Sequence, residues 1–437
     1  MKIAVEGCCH GRLDDIYATL KQLEQKNNYT VDLLLVCGDF QAVRNHRDLH
    51  TMACPEKYRA LGTFHKYYTG ETKAPLLTIV IGGNHEASNY MWELHHGGWV
   101  APNIYYLGTA GCVQVNGLRI AGSSGIFKDH DFRRGFFERM PLANSDIRSI
   151  YHTREHSIRK LSLLSSPHIF LSHDWPQHIE QHGDYQALMR MKPYFRKDAE
   201  TGNLGSPPLK GLLYTLQPDR WFAAHMHVRF PATVDHGHAQ RPAPVANPDE
   251  IRIDDEDDED ATPSGKAASA SAPVKSNPDE IAMSDEEDEV IAPPQPAPPP
   301  KQTQFLALDK CLPGRKFLEI LDVEEPSPSS PPTFTFDEEW LAITRAFQPL
   351  MSRTRSQPPF PDEEKAREMV KTELEWVRAQ QLQSMAVDEC QQFTMTAPGP
   401  GTNDQGNDRK LAPPVYKNPQ NEAYCQMLKI DDKVNLS

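Results

Sequence analysis

Much of what would mark an exported, membrane-spanning or strongly basic protein is missing from this chain. Cysteine is sparse: eight residues in 437, scattered, which excludes a disulfide framework. No run of about 18 apolar residues occurs, which excludes a membrane-spanning helix. The N-terminus, MKIAVEG, offers one lysine and then a strand-like run without a cleavage-site pattern, so a signal peptide is not expected. A reducing compartment, cytosol or nucleus, is the expectation. Apolar residues are also scarce, at 38%, beside 37 prolines, so part of the chain cannot bury enough surface to order itself. Net positive charge is absent overall, at −14, but the deficit is local. Residues 1–235 net +3, residues 236–302 net −11 and residues 303–437 net −6. The acidity therefore belongs to the middle and the tail, and a nucleic-acid substrate for the first 235 residues stays open.

In residues 1–235, short apolar runs alternate with polar-periodic stretches. KIAVEG, DLLLVCGDF, LLTIVIGGNHE, LRIAGSSG, HIFLSHDWP and RWFAAHMHVRF read as buried strands that end in Gly, Asp or His. Between Gly11 and Asn27, Leu13, Ile16, Tyr17, Leu20 and Leu23 fall at helical spacing. This alternation predicts an α/β domain with its sheet buried between helices and its site at the carboxyl ends of the strands. Residues 236–302 carry a duplication, NPDEIRIDDEDDED and NPDEIAMSDEEDEV, thirty residues apart. Two copies do not build a solenoid, and self-repelling acids predict a disordered linker. The other reading is a binding tail for a basic protein partner. Beyond it, QFLALDKCLPGRKFLEILDV (304–323) reads as a hairpin around Pro-Gly, and FDEEWLAITRAF (336–347) and PDEEKAREMVKTELEWVRAQQ (361–381) read as helices. The last residues are expected to be disordered.

Five segments hold nearly all the informative polar residues: Gly7-Cys8-Cys9-His10-Gly11, Gly38-Asp39, Gly82-Gly83-Asn84-His85-Glu86, Ser172-His173-Asp174 and His225-Met226-His227. Each follows an apolar run. Singly they are weak: a histidine after a strand is more often structural than a ligand, and an extended His-x-His needs a twist to reach one centre. Together they supply a carboxylate, an amide, four imidazoles and a thiol, enough for two adjacent metal ions that share a carboxylate. Side chains alternate along a strand, so only one of Cys8 and Cys9 can face the metals.

The order and spelling of these blocks resemble the calcineurin-like metallophosphoesterases, whose blocks read D-x-H, G-D, G-N-H-[DE], H and G-H-x-H. The aspartate of D-x-H is here Cys8 and the glycine of G-H-x-H is here Ala224. The cysteine narrows the resemblance to the RNA lariat debranching enzymes. GNHEASNY (83–90), GLRIAGSSGIFK (117–128), FLSHDWP (170–176) and WFAAHMHVRF (221–230) are similar to that family too. So is FLALDKCLPGRKFLEILD (305–322), which looks like the segment that resumes the family's fold.

The resemblance implies a two-sheet αββα sandwich. It implies one metal held by Cys8, His10, Asp39 and His227, and a second by Asp39, Asn84, His173 and His225, with Asp39 bridging. His85 would be the general acid and Glu86 the residue that orients it. Sulfur at Cys8 favours Fe(II) or Zn(II), and the other site suits Fe(II), Mn(II) or Zn(II). The implied reaction is hydroxide attack on the 2′–5′ phosphodiester at an intron branch point, in the nucleus. Asp174 is expected as a cap or a partner of His173.

An insert at about 124–160 interleaves Lys128, Arg133, Arg134 and Arg154 with Phe132 and Tyr151, among other basic and aromatic residues. That is the recipe for single-stranded nucleic acid, and it lies where the family carries its lariat-recognition insertion. The rival enzymes are a protein Ser/Thr phosphatase or general nucleotide phosphodiesterase of the same fold. The rival without chemistry is an inactive scaffold, against which the complete ligand set argues.

Overall fold

Each apolar run becomes a strand that stops where its polar residues begin. In the computed structural model, which describes residues 1–237, 301–402 and 404–435, thirteen strands make two sheets. The duplicated acidic segment, with the linker and basic partner expected of it, lies outside the described residues.

The first sheet runs β12-β1-β2-β3-β5-β4, built from β1 (Lys2–Glu6), β2 (Leu33–Val36), β3 (Leu77–Val80), β4 (Gly98–Ala101), β5 (Ile104–Tyr106) and β12 (Leu318–Asp322). The second runs β10-β11-β9-β8-β7-β6-β13. Its strands are β6 (Ala110–Val115), β7 (Leu118–Ser123), β8 (Ile169–Ser172), β9 (Arg220–Ala223), β10 (Phe230–Asp235), β11 (Gln302–Ala307) and β13 (Phe334–Phe336). The strands β1, β2, β3 and β5 are mutually parallel, and so are β7, β8, β9 and β11.

Alternation along the strands sorts the core. Ile3, Val5, Leu33, Leu35 and Ile79 pack with Ile120, Ile169, Leu171 and Phe222 of the other sheet. Ala4, Leu34, Val36 and Val80 face the opposite way, against Leu13, Ile16, Tyr17 and Leu20 of the helix Leu13–Asn27. The result is the expected αββα sandwich. Each enclosed Leu or Ile is worth about 1.5–3 kcal/mol.

The returning chain fills slots in both sheets. β11 lies between β10 and β9, and β12 pairs antiparallel with β1 at the sheet edge. The hairpin expected over 304–323 is therefore corrected. Its turn is present, with Asp309 N–H donating to the Lys316 carbonyl at 3.1 Å across Pro313-Gly314. The flanking strands, however, bond to different sheets. A ladder with β9 on one side and β1 on the other outweighs a pairing of the two short strands with each other.

The helices Glu338–Phe347 and Glu363–Ala379 start where acidic caps allow. Asp337 accepts the Trp340 N–H at 3.0 Å and Asp362 the Lys365 N–H at 2.8 Å. Disorder at the chain's end is corrected as far as residue 435. Pro419–Leu428 is a helix whose Tyr424, Cys425 and Leu428 are buried.

Candidate metal centre

Five parallel strands, three from one sheet and two from the other, deliver the residues that follow them to one place: Cys8 and His10 after β1, Asp39 after β2, Asn84 and His85 after β3, His173 after β8, His225 and His227 after β9. Four of these, His10 (φ 48°), Asp39 (45°), His225 (59°) and His227 (50°), are left-handed. That conformation costs roughly 1–2 kcal/mol at a residue with a Cβ. It ends the ladder and turns the side chain inward, and it supplies the twist that His-x-His requires.

Donor atoms of Cys8, His10, Asp39 and His227 all lie within 4.8 Å of one another. His10 Nε2 and His227 Nε2 are 3.1 Å apart, and His10 Nε2 is 3.7 Å from Asp39 Oδ2. The other carboxylate oxygen faces a second group: Asp39 Oδ1 is 3.5 Å from His173 Nε2, which is 3.2 Å from Asn84 Oδ1. The His225 ring lies 5.0 Å from that of His173, centroid to centroid. Asp39 thus sits between the two donor groups, one oxygen to each. Cys8 packs between the sheets, whereas Cys9 packs on the helix side.

Second contacts fix these groups. His173 Nδ1 donates to the Cys37 carbonyl at 2.8 Å, which leaves the Nε2 lone pair aimed at Asn84 and Asp39. The Gln41 amide lies 3.3 Å from His10 Nδ1. His225 N–H donates to Cys8 Sγ at 3.2 Å. Glycine is required beside the centre: a Cβ on Gly83 would lie 2.2 Å from Asp39 Oδ1, and one on Gly38 2.4 Å from His173 Nδ1.

Burial lowers His173 to about 4 and His227 to about 3, so both rings are neutral donors at pH 7. Burial alone would raise Asp39, but His173, His10, His85 and His225 outweigh it and hold the carboxyl below its ordinary range. Burial, then Asp39 and Glu6, push the Cys8 thiol well up. A cation at this position is what would release its proton. One thiol, one shared carboxylate, one amide and neutral imidazoles fit two divalent ions.

His85 lies at the edge of this cluster. Its N–H donates to Asp39 Oδ1 at 2.8 Å, its Nδ1 has no protein partner, and its ring is 6.0 Å from that of His10. Glu86 departs from the role expected of it, because it makes no bond to His85. Its carboxylate accepts Phe40 and Gln41 N–H, both at 2.8 Å, and Gly83 N–H at 2.9 Å, tying the loop after β2 to the loop after β3. Burial, then Asp39, raise it to about 7, against those three bonds. Asp174 also makes no bond to His173. It accepts Trp175 N–H at 2.9 Å and Phe127 N–H at 3.3 Å, so it anchors the start of the insert.

The insert divides. Lys128 and Arg133 are exposed, and Tyr151 lines a cleft with Gly82, Gly83, Glu86 and Ser124. Phe132 is partly buried against Phe127, and Arg134 is paired with Asp131 at 2.9 Å. Arg154 is corrected outright: it is 1% exposed, with its guanidinium on Glu138 and on the carbonyls of Asp131 (2.8 Å) and Ser149 (3.1 Å). A guanidinium buried to this extent is out of reach of a phosphate on the surface, even though its Nε has no partner. A second cluster, His130-Asp131-His152, is this same network, with Asp131 held by Arg134 and His152.

The sandwich and its crevice of shared donors define a class, the calcineurin-like phosphoesterases, and the family model of that description matches residues 1–229. A second model, "Lariat debranching enzyme, C-terminal domain", matches residues 300–433. The chain is 44% identical to the lariat debranching enzyme of Drosophila pseudoobscura pseudoobscura, covering 100% of this chain and 78% of that one. It is 42% identical to that of Mus musculus, covering 99% and 69%. It is also 48% identical to lariat debranching enzyme A of Xenopus laevis, where the match covers 81% of this chain and 56% of the relative. This chain belongs to the lariat debranching enzyme family.

Proposed function

We propose that this chain hydrolyses the 2′–5′ phosphodiester at the branch point of excised intron RNA and so opens the lariat to a linear strand. The observation that carries the reading is Asp39, with one oxygen toward His10 and the other toward His173, at the ends of strands from a phosphoesterase fold. Cys8, His10, Asp39 and His227 would hold one divalent ion, and Asp39, Asn84, His173 and His225 the other. When bound, the pair supplies Lewis acidity to the phosphate and a water acidic enough to attack it at neutral pH. The chain's own residues do the rest. Asp39 and Cys8 bring negative charge to the pair, and His173 keeps the tautomer that its bond to Cys37 sets. Glu86 holds the Asp39 and Asn84 loops in register. His85 gives a proton to the departing 2′ oxygen. Lys128, Arg133 and Tyr151 face the strand around the branch. The thiol at Cys8 selects Fe(II) or Zn(II) at its position, and the nitrogen–oxygen position takes Fe(II), Mn(II) or Zn(II). Because introns are excised in the nucleus, nuclear residence is part of the same proposal.

A synthetic branched RNA with one 2′–5′ linkage, assayed beside metal analysis, tests this. His85→Ala should keep its metal and slow cleavage by roughly 10²–10⁴. Loss of metal in that variant, or an unchanged rate, would remove His85 from the role. Turnover of a phosphopeptide with none of branched RNA would favour the protein phosphatase reading.

A further inference from the structure

One cation reaches the centre from far along the chain. The stretch from Leu308 to Phe317 carries the chain from β11 to β12 and passes beside β1. Lys310 is bridged to Cys8 in parallel register, and Cys311 N–H donates to the Cys8 carbonyl at 3.1 Å. The neighbouring acid is committed elsewhere: Asp309 Oδ1 accepts the Lys310 backbone N–H at 2.8 Å, and Oδ2 faces Arg315 at 3.3 Å. Among the described residues the Lys310 ammonium makes no ion pair, and the residue is half-exposed. The bridge sets Lys310 beside the donor group to which Cys8 belongs, whose atoms on Cys8, His10, Asp39 and His227 lie within 4.8 Å of one another.

An unpaired ammonium beside donors for two dications is electrostatically unfavourable on its own. It becomes favourable once an anion stands between it and the ions. The substrate brings one, since a phosphodiester keeps two non-bridging oxygens that share a negative charge. Lysine suits that position because it offers a compact point charge with three donors. We propose that Lys310 holds a non-bridging oxygen of the scissile phosphodiester on the His10–His227 side of the centre, a contact that the C-terminal region supplies to an otherwise N-terminal site. The proposal rests on the phosphodiesterase reading above.

The metal-loaded full chain tests it, with two substrates: a branched RNA and the small diester bis(p-nitrophenyl) phosphate. Lys310→Met should lower kcat/KM on both by about 10²-fold, the usual loss for one electrostatic contact to a transition state. Binding of a non-cleavable branched RNA, read by fluorescence anisotropy, should weaken about tenfold. Metal content and Tm should stay at the parent values, and Lys310→Arg should restore most of the binding. Unchanged kcat/KM for the Met variant overturns the proposal, and so does a loss that merely tracks loss of metal. If the parent cleaves only the small diester and Lys310→Met still loses that activity, the branched-RNA reading fails and this contact stands. If the parent cleaves both and the Met variant loses neither, this contact alone fails.

Discussion

The loops of the metal centre and the insert at 124–160 both look rich in chemistry, yet they use their side chains differently. At the centre each candidate follows the last residue of a parallel strand, and seven donors converge although they span residues 8 to 227. Along the insert a comparable set of basic and aromatic residues disperses. Arg154 is consumed by Glu138, Lys160 is buried over the Trp340 ring at 4.4 Å, and Phe136 packs on Trp92 and His95. Lys128, Arg133 and Arg148 stay exposed, and Tyr151 is half-buried. The difference teaches that strand ends fix where a side chain goes, whereas an irregular segment leaves that to residues hundreds of positions away.

The largest effect that bears on this contrast is expected at Arg154. Arg154→Ala should cost about 3–5 kcal/mol in denaturant unfolding, because Glu138 is left buried without its cation. A small loss of stability with a large loss of RNA affinity would return Arg154 to the substrate surface. Lys160 comes next. Burial brings its ammonium down to about 7 in the fold, against about 10.4 in an unfolded chain. Between those values the unfolded chain binds the extra proton, so stability should rise with pH by up to about 1.4 kcal/mol per unit, and fall as pH drops toward 7. Lys160→Met should flatten that slope in thermal melts and raise Tm most at neutral pH; an unchanged slope would show that the ammonium is solvated. The smallest effects should come from the cysteines. Cys9→Ser, on the helix side, should leave metal binding intact. Cys8→Asp should still bind two metals, work better with Mn(II) and resist peroxide. If Cys9→Ser is the variant that loses metal, the strand register assigned here is wrong.

What could be read from the sequence follows the same division. The period of two along a strand separates Cys8 from Cys9, and apolar runs that stop at Gly, Asp or His mark the strand ends. Glu86 could not be read in that way. It is His85's neighbour in sequence, but its carboxylate serves the N–H groups of Phe40 and Gln41, some 45 positions earlier. The left-handed turns at His225 and His227 leave no mark in composition either, since histidine adopts them only where the surroundings impose them. The Pro313-Gly314 turn was legible, but the partners of its two strands were not, because open slots in two sheets decide them. Gln41 and the Cys37 carbonyl, which orient His10 and His173, carry no signal beyond their place next to Asp39.

The placement of β11 and β12 has a consequence for how the protein is made. During synthesis the residues for β9 and β10 emerge well before those for β11, which must lie between them, and β1 waits for β12 on one flank. Cys8 leaves the ribosome some three hundred residues ahead of Lys310 and Cys311, against which it finally rests. At about 5–20 residues per second that is an interval of roughly 15–60 s. Through that interval β1 has a bare edge, and from the emergence of β10 until that of β11 the second sheet lacks the strand that joins β10 to β9. The nascent chain should therefore depend on shielding by chaperones, and a ribosome that stalls before residue 301 should yield a fragment that cannot close either sheet.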